Sequence, residues 1–335
     1  MNYLQLVKYG GGLLLDAYKQ KRFTDKFLRP LVHNHAERLG CTLSKSEKKK
    51  ILFYYPMYTV LACAQMYITL KGRKLSTEET KRLTIVGAMA TICDDLIDED
   101  NWSRDQIFYL LNDNIDETNL NKRAQLLLAL NRDFIALVPS NEKYLTQLKK
   151  ALEWQAVSEK QTKADINLEE IVHVCREKNG HTSLMFASLI DEDWDEKEKQ
   201  FIYQSAIVGQ LTNDSFDIYF DTQSGLNTYV NRAPSIQDVQ QFFISECTKL
   251  HHDVLACDAP QNLKQKTIYR MSCMHGFTLV ALKHLQETEG KYGLPMDWKR
   301  PSRKEMVPDL EWMKNKLRLP PAIKYLSKLG SPFTL

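Results

Sequence analysis

Signals that start helices recur along this chain, and they limit its fold more than any other feature. Ser76 and Glu79 form a capping box in front of an apolar stretch that ends in acids, and Asn167 and Glu170 are spaced in the same way. A long helix is predicted over about 195–221. Helical periodicity predicts further helices over 45–70, 122–136, 143–160, 236–256 and 262–287.

Turn and strand signals are weak by comparison. The 335 residues include 13 glycines and 11 prolines, fewer than usual, and alternating Val/Ile/Thr-rich runs between turns are missing. Asn179-Gly180 is predicted to break a helix, with an apolar pattern that resumes at Leu184. The stretches 223–234 and 290–308 have the length of loops. We therefore predict an all-α fold in which residues 1–335 form one large helical bundle and not two domains.

Charge and hydropathy exclude several classes of partner. Lys and Arg number 45 and Asp and Glu 42, so the net charge of +3 gives no general attraction to nucleic acid. A mean hydropathy of −0.41 and the lack of an apolar run of about 18 residues argue against integral membrane association. No cleavage-site pattern follows the first apolar patch, and the seven scattered cysteines include no Cys-x-x-Cys pair. A reducing cytoplasm is predicted, and a homodimer is left open.

An acidic run at 94–100 follows the apolar helix that Ser76 starts. Asp94 and Asp98 are four residues apart, as are Asp95 and Glu99, so like charges repel one another along the end of a helix. The helix macrodipole also disfavours anions at that end. Two interpretations stay open: a buried helix whose acids need cations nearby, or a helix that emerges into solvent.

A second acidic cluster lies on one face of the long helix. Asn213, Asp217 and Asp221 are spaced four residues apart, so this face presents an amide oxygen and two carboxylates. Oxygen ligands without cysteine or histidine suit Mg²⁺ or Mn²⁺ better than zinc. Mg²⁺ usually completes its coordination with water and phosphate oxygens. Two facing helices with such clusters would therefore form a phosphate-binding metal site.

The two clusters resemble the metal motifs of class I isoprenoid synthases, most closely those of microbial class I terpene synthases. The segment Asp94-Asp95-Leu96-Ile97-Asp98-Glu99 is similar to the family motif D-D-x-x-D/E. The family motif N-D-x-x-S/T-x-x-x-E/D resembles Asn213, Asp214, Asp217 and Asp221, with aspartate replacing both Ser/Thr and the commoner Glu. Gly225 follows at a usual spacing, whereas Phe220 stands where the family usually has a basic residue.

Two further segments are similar to the diphosphate-binding residues of that family. Arg176, Asn179 and Gly180 reproduce the spacing of a diphosphate sensor, a linker and a small effector residue at a helix break, with Asn replacing Asp. Lys291 and Tyr292 resemble the family's C-terminal Arg-Tyr pair, with lysine replacing arginine.

The resemblance implies an antiparallel bundle around a central apolar cavity and a reaction on an allylic prenyl diphosphate. Three Mg²⁺ ions, or Mn²⁺, would stabilise the departing diphosphate, while a dry cavity protects the carbocation. The implied metal ligands are Asp94, Asp98, Asn213, Asp217 and Asp221. The implied catalytic residues are Asp94, Asp95, Asp98, Arg176 and Gly180, and Asp95 and Glu99 would orient metal ligands. Diphosphate binding is assigned to Arg176, Lys178, Lys291 and Tyr292. Aromatic candidates for the cavity wall are Phe53, Tyr54, Tyr58, Phe186, Phe216 and Phe277.

Two alternatives remain. The segment Gln210-Leu211-Thr212-Asn213, followed by Asp217 and Asp221, is also similar to the second motif of squalene and phytoene synthases, and the short interval between the two acidic motifs suits those enzymes. Such an enzyme joins two prenyl diphosphates head to head. The other alternative is a non-catalytic helical protein that keeps the fold and binds a prenyl diphosphate or a partner.

Overall fold

Helices account for all the regular structure in the part of the chain that the computed structural model describes, namely residues 1–112, 119–138, 140–310 and 313–330. These ranges contain no strand, which confirms the all-α class. The helices are α1 (Tyr3–Lys26), α2 (Leu28–Leu39), α3 (Lys45–Leu70), α4 (Thr77–Asp98), α5 (Arg104–Leu111), α6 (Lys122–Ile135), α7 (Glu142–Val157), α8 (Leu168–Ala187), α9 (Glu196–Ser224), α10 (Tyr229–Arg232), α11 (Ile236–Ala256), α12 (Gln261–Tyr292), α13 (Arg303–Met306) and α14 (Met313–Leu326).

The predicted helix starts are confirmed by their capping bonds. The hydroxyl of Ser76 accepts a bond from the amide of Glu79 at 3.1 Å, and the Glu79 carboxylate accepts from the amide of Ser76 at 2.6 Å. Asn167 and Glu170 exchange the same pair of bonds at the start of α8. Helix α9 begins after an equivalent box and ends at Gly225, whose φ of 75° is the left-handed conformation that favours glycine.

The predicted helix break at Asn179-Gly180 is wrong, because α8 continues through both residues. The side chain of Asn179 donates to the carbonyl of Cys175 at 2.8 Å, one turn earlier in the same helix. A Cβ atom at Gly180 would overlap the ring of Tyr203 on α9. Glycine at this position therefore allows α8 and α9 to pack closely, and the contact outweighs its low helix propensity. The predicted loops at 223–234 and 290–308 each contain a short helix, α10 and α13.

The chain divides into two compact units. The first unit comprises Gly12–Glu153 and Leu184–Asp193, and the second comprises Met1–Gly11, Trp154–Ser183 and the chain from Trp194 onwards. Within the first unit, α4 packs against α3 and α6; within the second, α9 packs against α11 and α12, and α12 packs against α14. The prediction that all 335 residues form one domain stays a prediction.

Helix α3 is wound irregularly around Pro56. Two of its segments, Lys50–Tyr54 and Tyr58–Ala64, are π-helical and flank the short α-helical turn that contains this proline. Proline lacks the amide hydrogen that a helix interior requires, and π-helical turns are uncommon outside such interruptions. A Cβ atom at Gly87 of α4 would lie 3.0 Å from the Pro56 backbone, so glycine allows α4 to approach α3 here. On the same side of α3, Tyr55 donates a hydrogen bond to Asp94 near the end of α4.

By length and composition, α3 is the one helix in the described ranges that could cross a membrane. Half of its apolar window is buried inside the protein, and one such helix is weak evidence for a membrane span. The seven cysteines all fall within the described ranges and are free thiols.

Candidate functional site

The first acidic cluster lies at the end of α4, in the first unit, and faces α3. The hydroxyl of Tyr55 donates to a carboxylate oxygen of Asp94 at 2.9 Å. Asp95 is buried and accepts a bond from the ammonium of Lys50 at 3.2 Å. Asp98 is exposed to solvent. Both interpretations of the acidic run therefore hold for part of it: Asp95 is buried beside a cation, and Asp98 lies in water.

Arg123 of α6 neutralises the rest of the first cluster. Its guanidinium lies 2.7 Å from the carboxylate of Glu99, 2.9 Å from that of Asp100 and 3.1 Å from that of Glu47. Burial raises the pKa of Glu47, but hydrogen bonds from Ser44 and Arg123 outweigh burial and lower it. Sequence reasoning missed Lys50 and Arg123, since nothing in their local sequence marks either one as a partner of residues 94–100.

The second acidic cluster lies on α9, in the second unit, and is less well neutralised. Asp214 is 2% exposed, Asp217 and Asp221 are half-buried, and Asn213 is exposed. Burial raises the pKa of Asp214 to about 7, although a bond of 2.6 Å from the amide of Gln210 opposes the rise. Burial, together with the charges of Asp214 and Asp217, raises the pKa of Asp221 to about 8. Burial also raises the pKa of Asp217. Asp214 and Asp221 therefore hold protons over part of the neutral pH range, because the surrounding positive charge does not outweigh burial.

Lys178 of α8 is the cation that faces this cluster. Its charge lowers the pKa values of Asp214 and Asp221, but burial and the neighbouring carboxylates have the larger effect. One oxygen of Asp221, Oδ2, is buried and has no hydrogen-bond partner. A buried carboxylate oxygen without a donor costs free energy, so this atom is available to a cation or a proton. Sequence reasoning named Asp217 and Asp221 as ligands and omitted Asp214, the most buried of the three.

Arg176, the predicted diphosphate sensor, is anchored inside the second unit. Its guanidinium donates to the side chain of Gln204 at 2.7 Å and to the carboxylate of Glu246 at 2.9 Å. Glu246 is fully buried and also accepts from Lys249 at 2.6 Å. Sequence reasoning missed Gln204 and Glu246 because they lie on α9 and α11, distant along the chain from Arg176. A guanidinium has five N–H donors, so these two bonds leave others for a ligand.

The predicted Lys–Tyr pair is held by α13. The hydroxyl of Tyr292 donates to Glu305 at 3.1 Å, and the ammonium of Lys291 lies 3.9 Å from the same carboxylate. On the same short helix, the guanidinium of Arg303 lies 5.0 Å from the ring centroid of Phe220, next to Asp221 in sequence. Phe220 replaces the basic residue that the similar family motif usually has before its last acid, and Arg303 brings a basic group next to it.

The aromatic residues predicted to line a cavity differ in exposure. Phe186 is buried and Phe216 is half-buried, whereas the other four are more than one third exposed, namely Phe53, Tyr54, Tyr58 and Phe277. The rings of Phe53 and Tyr54 contact each other edge to face, with centroids 5.5 Å apart. Their role as the wall of an apolar cavity stays a prediction.

The donor chemistry of α9 fits a hard divalent cation. It offers carboxylate and amide oxygens, and one of those oxygens is buried without a partner. Within the described ranges, no three acidic, histidine or cysteine side chains converge on one point. Mg²⁺ bound by α9 would therefore take one or two protein carboxylates and complete its shell with water or phosphate oxygens, as is usual for this ion.

The residues predicted to share a metal cluster belong to both units. Asp94 and Asp98 are in the first unit, and Asn213, Asp217 and Asp221 are in the second. Their meeting around one set of ions stays a prediction.

Comparison with known proteins finds no matching family model, curated protein or solved structure.

Proposed function

We propose that this chain is a Mg²⁺-dependent class I terpene synthase that ionises an allylic prenyl diphosphate, cyclises the product cation and releases diphosphate. The observation that carries the proposal is the second acidic cluster. Its three carboxyls have raised pKa values, one of their oxygens is buried without a partner, and the charge of Lys178 does not outweigh the effect of burial on Asp214 and Asp221. A soluble helical scaffold without a ligand gains no stability from such an arrangement. A divalent cation would supply the missing positive charge.

In this proposal the side chains of α9 bind the metal and those of α8 bind the diphosphate. Asp217, Asp221 and Asn213 hold Mg²⁺, which when bound acts as a Lewis acid on the diphosphate oxygens. Lys178 adds positive charge next to the metal ligands. Arg176 directs its remaining N–H donors at the diphosphate, and its bonds to Gln204 and Glu246 fix its orientation before substrate binds.

The first acidic cluster supplies the other ligands in this proposal. Asp94 and Asp98 bind metal, and Tyr55 holds the Asp94 carboxylate in position. Lys50 pairs with Asp95 and Arg123 with Glu99, so these acids orient the ligands without contacting metal. The free thiols fit an enzyme that acts in the reducing cytoplasm.

The direct test is incubation of the purified full chain with Mg²⁺ and prenyl diphosphates of two to five isoprene units. We expect diphosphate release and a hydrocarbon product from one substrate alone, measured by a phosphate assay and mass spectrometry. Asp94→Ala and Asn213→Ala should each abolish turnover without a change in the circular dichroism spectrum. Glu196→Ala, at an exposed position on α9, is the matched control. Full activity in either site variant would remove the site assignment.

A head-to-head prenyl synthase is the second candidate, and one contact favours it. The side chain of Gln210 donates to Asp214 at 2.6 Å, so the glutamine of the squalene/phytoene-like segment belongs to the acidic cluster. Such an enzyme joins two substrate molecules. A product with twice the carbon number of the substrate would select this candidate over a terpene cyclase.

A further inference from the structure

The exposed face of α1 is apolar along its centre. Four of its large side chains are more than two thirds exposed: Tyr3 at 76%, Leu4 at 83%, Val7 at 69% and Leu14 at 75%. Leu15 and Tyr18 are also more than half exposed. At about 100° per residue, these side chains fall on one side of the helix, so they form a continuous stripe and not scattered surface residues. Soluble monomers rarely expose such a stripe without a function.

Basic residues border this stripe. The exposed residues of α1 include five cations, Lys8, Lys19, Lys21, Arg22 and Lys26. Most of them project along one edge of the stripe and Lys21 along the other, and Arg22 lies 5.8 Å from the ring centroid of Tyr18. The two acids of the helix, Asp16 and Asp25, are only half-exposed, and Asp25 is paired with Arg29 at 2.6 Å. The exposed face is therefore apolar and cationic.

We propose that α1 binds in the plane of an anionic lipid surface, with its apolar stripe in the acyl boundary and its cations on the lipid headgroups. An apolar face flanked by Lys and Arg, with aromatic side chains at its ends, is typical of interfacial helices. The cytoplasmic leaflet of a membrane supplies the anionic charge.

A second copy of this chain is a poorer occupant of the same face. Leu4, Val7, Leu14 and Tyr18 have the heptad spacing of a helix pair, and in such pairs opposite charges beside the apolar seam commonly select the partner. Two copies of α1 would bring cations such as Lys8 and Arg22 together without exposed acids to offset them. Charge complementarity therefore favours an anionic surface.

The test is co-sedimentation of the full chain with vesicles of phosphatidylcholine alone and of phosphatidylcholine with about 30% phosphatidylserine. We expect binding to the anionic vesicles that weakens as salt is raised, and little binding to the neutral ones. Leu14→Glu should reduce binding at least about tenfold. Replacing Lys8, Lys19 and Lys21 together by Gln should reduce it about a hundredfold, since each cation near such a surface contributes about fivefold.

Matched controls separate lipid binding from misfolding and from self-association. Leu317→Glu changes an equally exposed leucine on α14, 68% exposed, and should leave vesicle binding unchanged. Thermal unfolding of each variant should match that of the parent protein. No binding of the parent to anionic vesicles, equal losses in the Leu14 and Leu317 variants, or a dimer in light scattering that only Leu14→Glu dissociates would each overturn the proposal. Lipid binding through α1 is independent of the proposed enzymatic activity, so the two fail separately.

Discussion

The two acidic clusters look alike in the sequence, but the protein neutralises the negative charge of one more fully than that of the other. At the end of α4, Lys50 and Arg123 contact the acids directly, at distances from 2.7 to 3.2 Å. On α9, burial and mutual repulsion raise the pKa values of Asp214 and Asp221 in spite of Lys178. An acid-rich helix is therefore not by itself a sign of metal binding. The informative quantity is the negative charge that remains after the protein's own cations have been counted.

The largest expected difference between the clusters is in their response to Mg²⁺. At about pH 8, free Mg²⁺ at about a hundred times its dissociation constant should stabilise the protein by about 2.7 kcal/mol. Asp217→Asn should remove most of this stabilisation, because it removes a metal ligand from the cluster on α9, whose negative charge is less well neutralised. Glu99→Gln should leave it intact. Thermal unfolding with Mg²⁺ and with EDTA measures the effect, and an equal loss in both variants would contradict the comparison.

The glycine contacts beside the clusters should differ in their tolerance of a methyl group. Gly87→Ala should cost about 2 kcal/mol, because the added Cβ meets the Pro56 backbone at 3.0 Å and the Thr59 hydroxyl at 2.9 Å. Gly180→Ala should cost about 1 kcal/mol, since the obstacle is the half-buried ring of Tyr203, which moves more easily than backbone. Gly11→Ala is the control, with open space around the added atom, and should stabilise by about 0.5 kcal/mol. Chemical denaturation gives the change in the free energy of unfolding for all three variants. A larger cost for Gly180→Ala than for Gly87→Ala would show that the α3 backbone moves more easily than the ring of Tyr203.

Removing a compensating cation should destabilise the first cluster more than the second. Arg123→Ala should cost about 1.5 kcal/mol, because it leaves three carboxylates without their shared partner, although Glu99 is largely exposed. Lys178→Ala should cost less than about 0.5 kcal/mol near pH 6, where raised pKa values let Asp214 and Asp221 keep protons. Urea titration of both variants decides the order. Equal costs would mean that Lys178 is as important to its cluster as Arg123 is.

The smallest effect is the pH dependence of stability without Mg²⁺, and its sign differs between Asp221 of the second cluster and Glu47, which shares Arg123 with the first cluster. The pKa of Asp221 rises from 3.8 to about 8 on folding, so the folded chain holds a proton that the unfolded chain releases above about pH 4. The contribution of this carboxyl to the free energy of unfolding therefore falls as pH rises from about 4 to 8. Glu47, with its lowered pKa, contributes stability above its ordinary value of 4.5 that is lost as pH falls.

Because Asp221 is partly exposed, we expect about 1 kcal/mol or less across that window. Asp221→Asn should flatten the stability profile between about pH 4 and 8, and Glu47→Gln should flatten it below about pH 4.5. Thermal unfolding in EDTA at a series of pH values measures both. An unchanged profile between about pH 4 and 8 in Asp221→Asn would show that this carboxyl is ionised in the folded protein over that range.

Local features of the fold could be predicted from the sequence, and long-range ones could not. The helix that starts after Ser76 was predictable because its capping bonds join residues three positions apart. The break at Asn179-Gly180 was predicted wrongly because the contact that decides it, with Tyr203, lies on another helix. Glycine propensity alone carries no information about such a neighbour.

In the candidate site, too, local features could be predicted and long-range contacts could not. Helical spacing was enough to place Asp217 and Asp221 on one face of α9. The partners of the acids, Lys50 and Arg123, come from helices distant in sequence, and no local pattern identifies them. The metal was inferred from the oxygen ligands on α9 and from a resemblance, whereas the reaction and the substrate were inferred from the resemblance alone.

The irregular winding of α3 has a consequence for insertions and deletions. A π-helical turn holds one more residue than the α-helical turn it replaces, and here two such segments flank Pro56. Deleting one residue between Tyr58 and Ala64 would let that stretch rewind as ordinary α-helix, while Tyr55 keeps its place beside Asp94. The segment between Tyr58 and Ala64 can therefore lose one residue without moving Tyr55, which contacts Asp94 of α4. A deletion there should be tolerated better than a deletion within α4, which has no such extra residue.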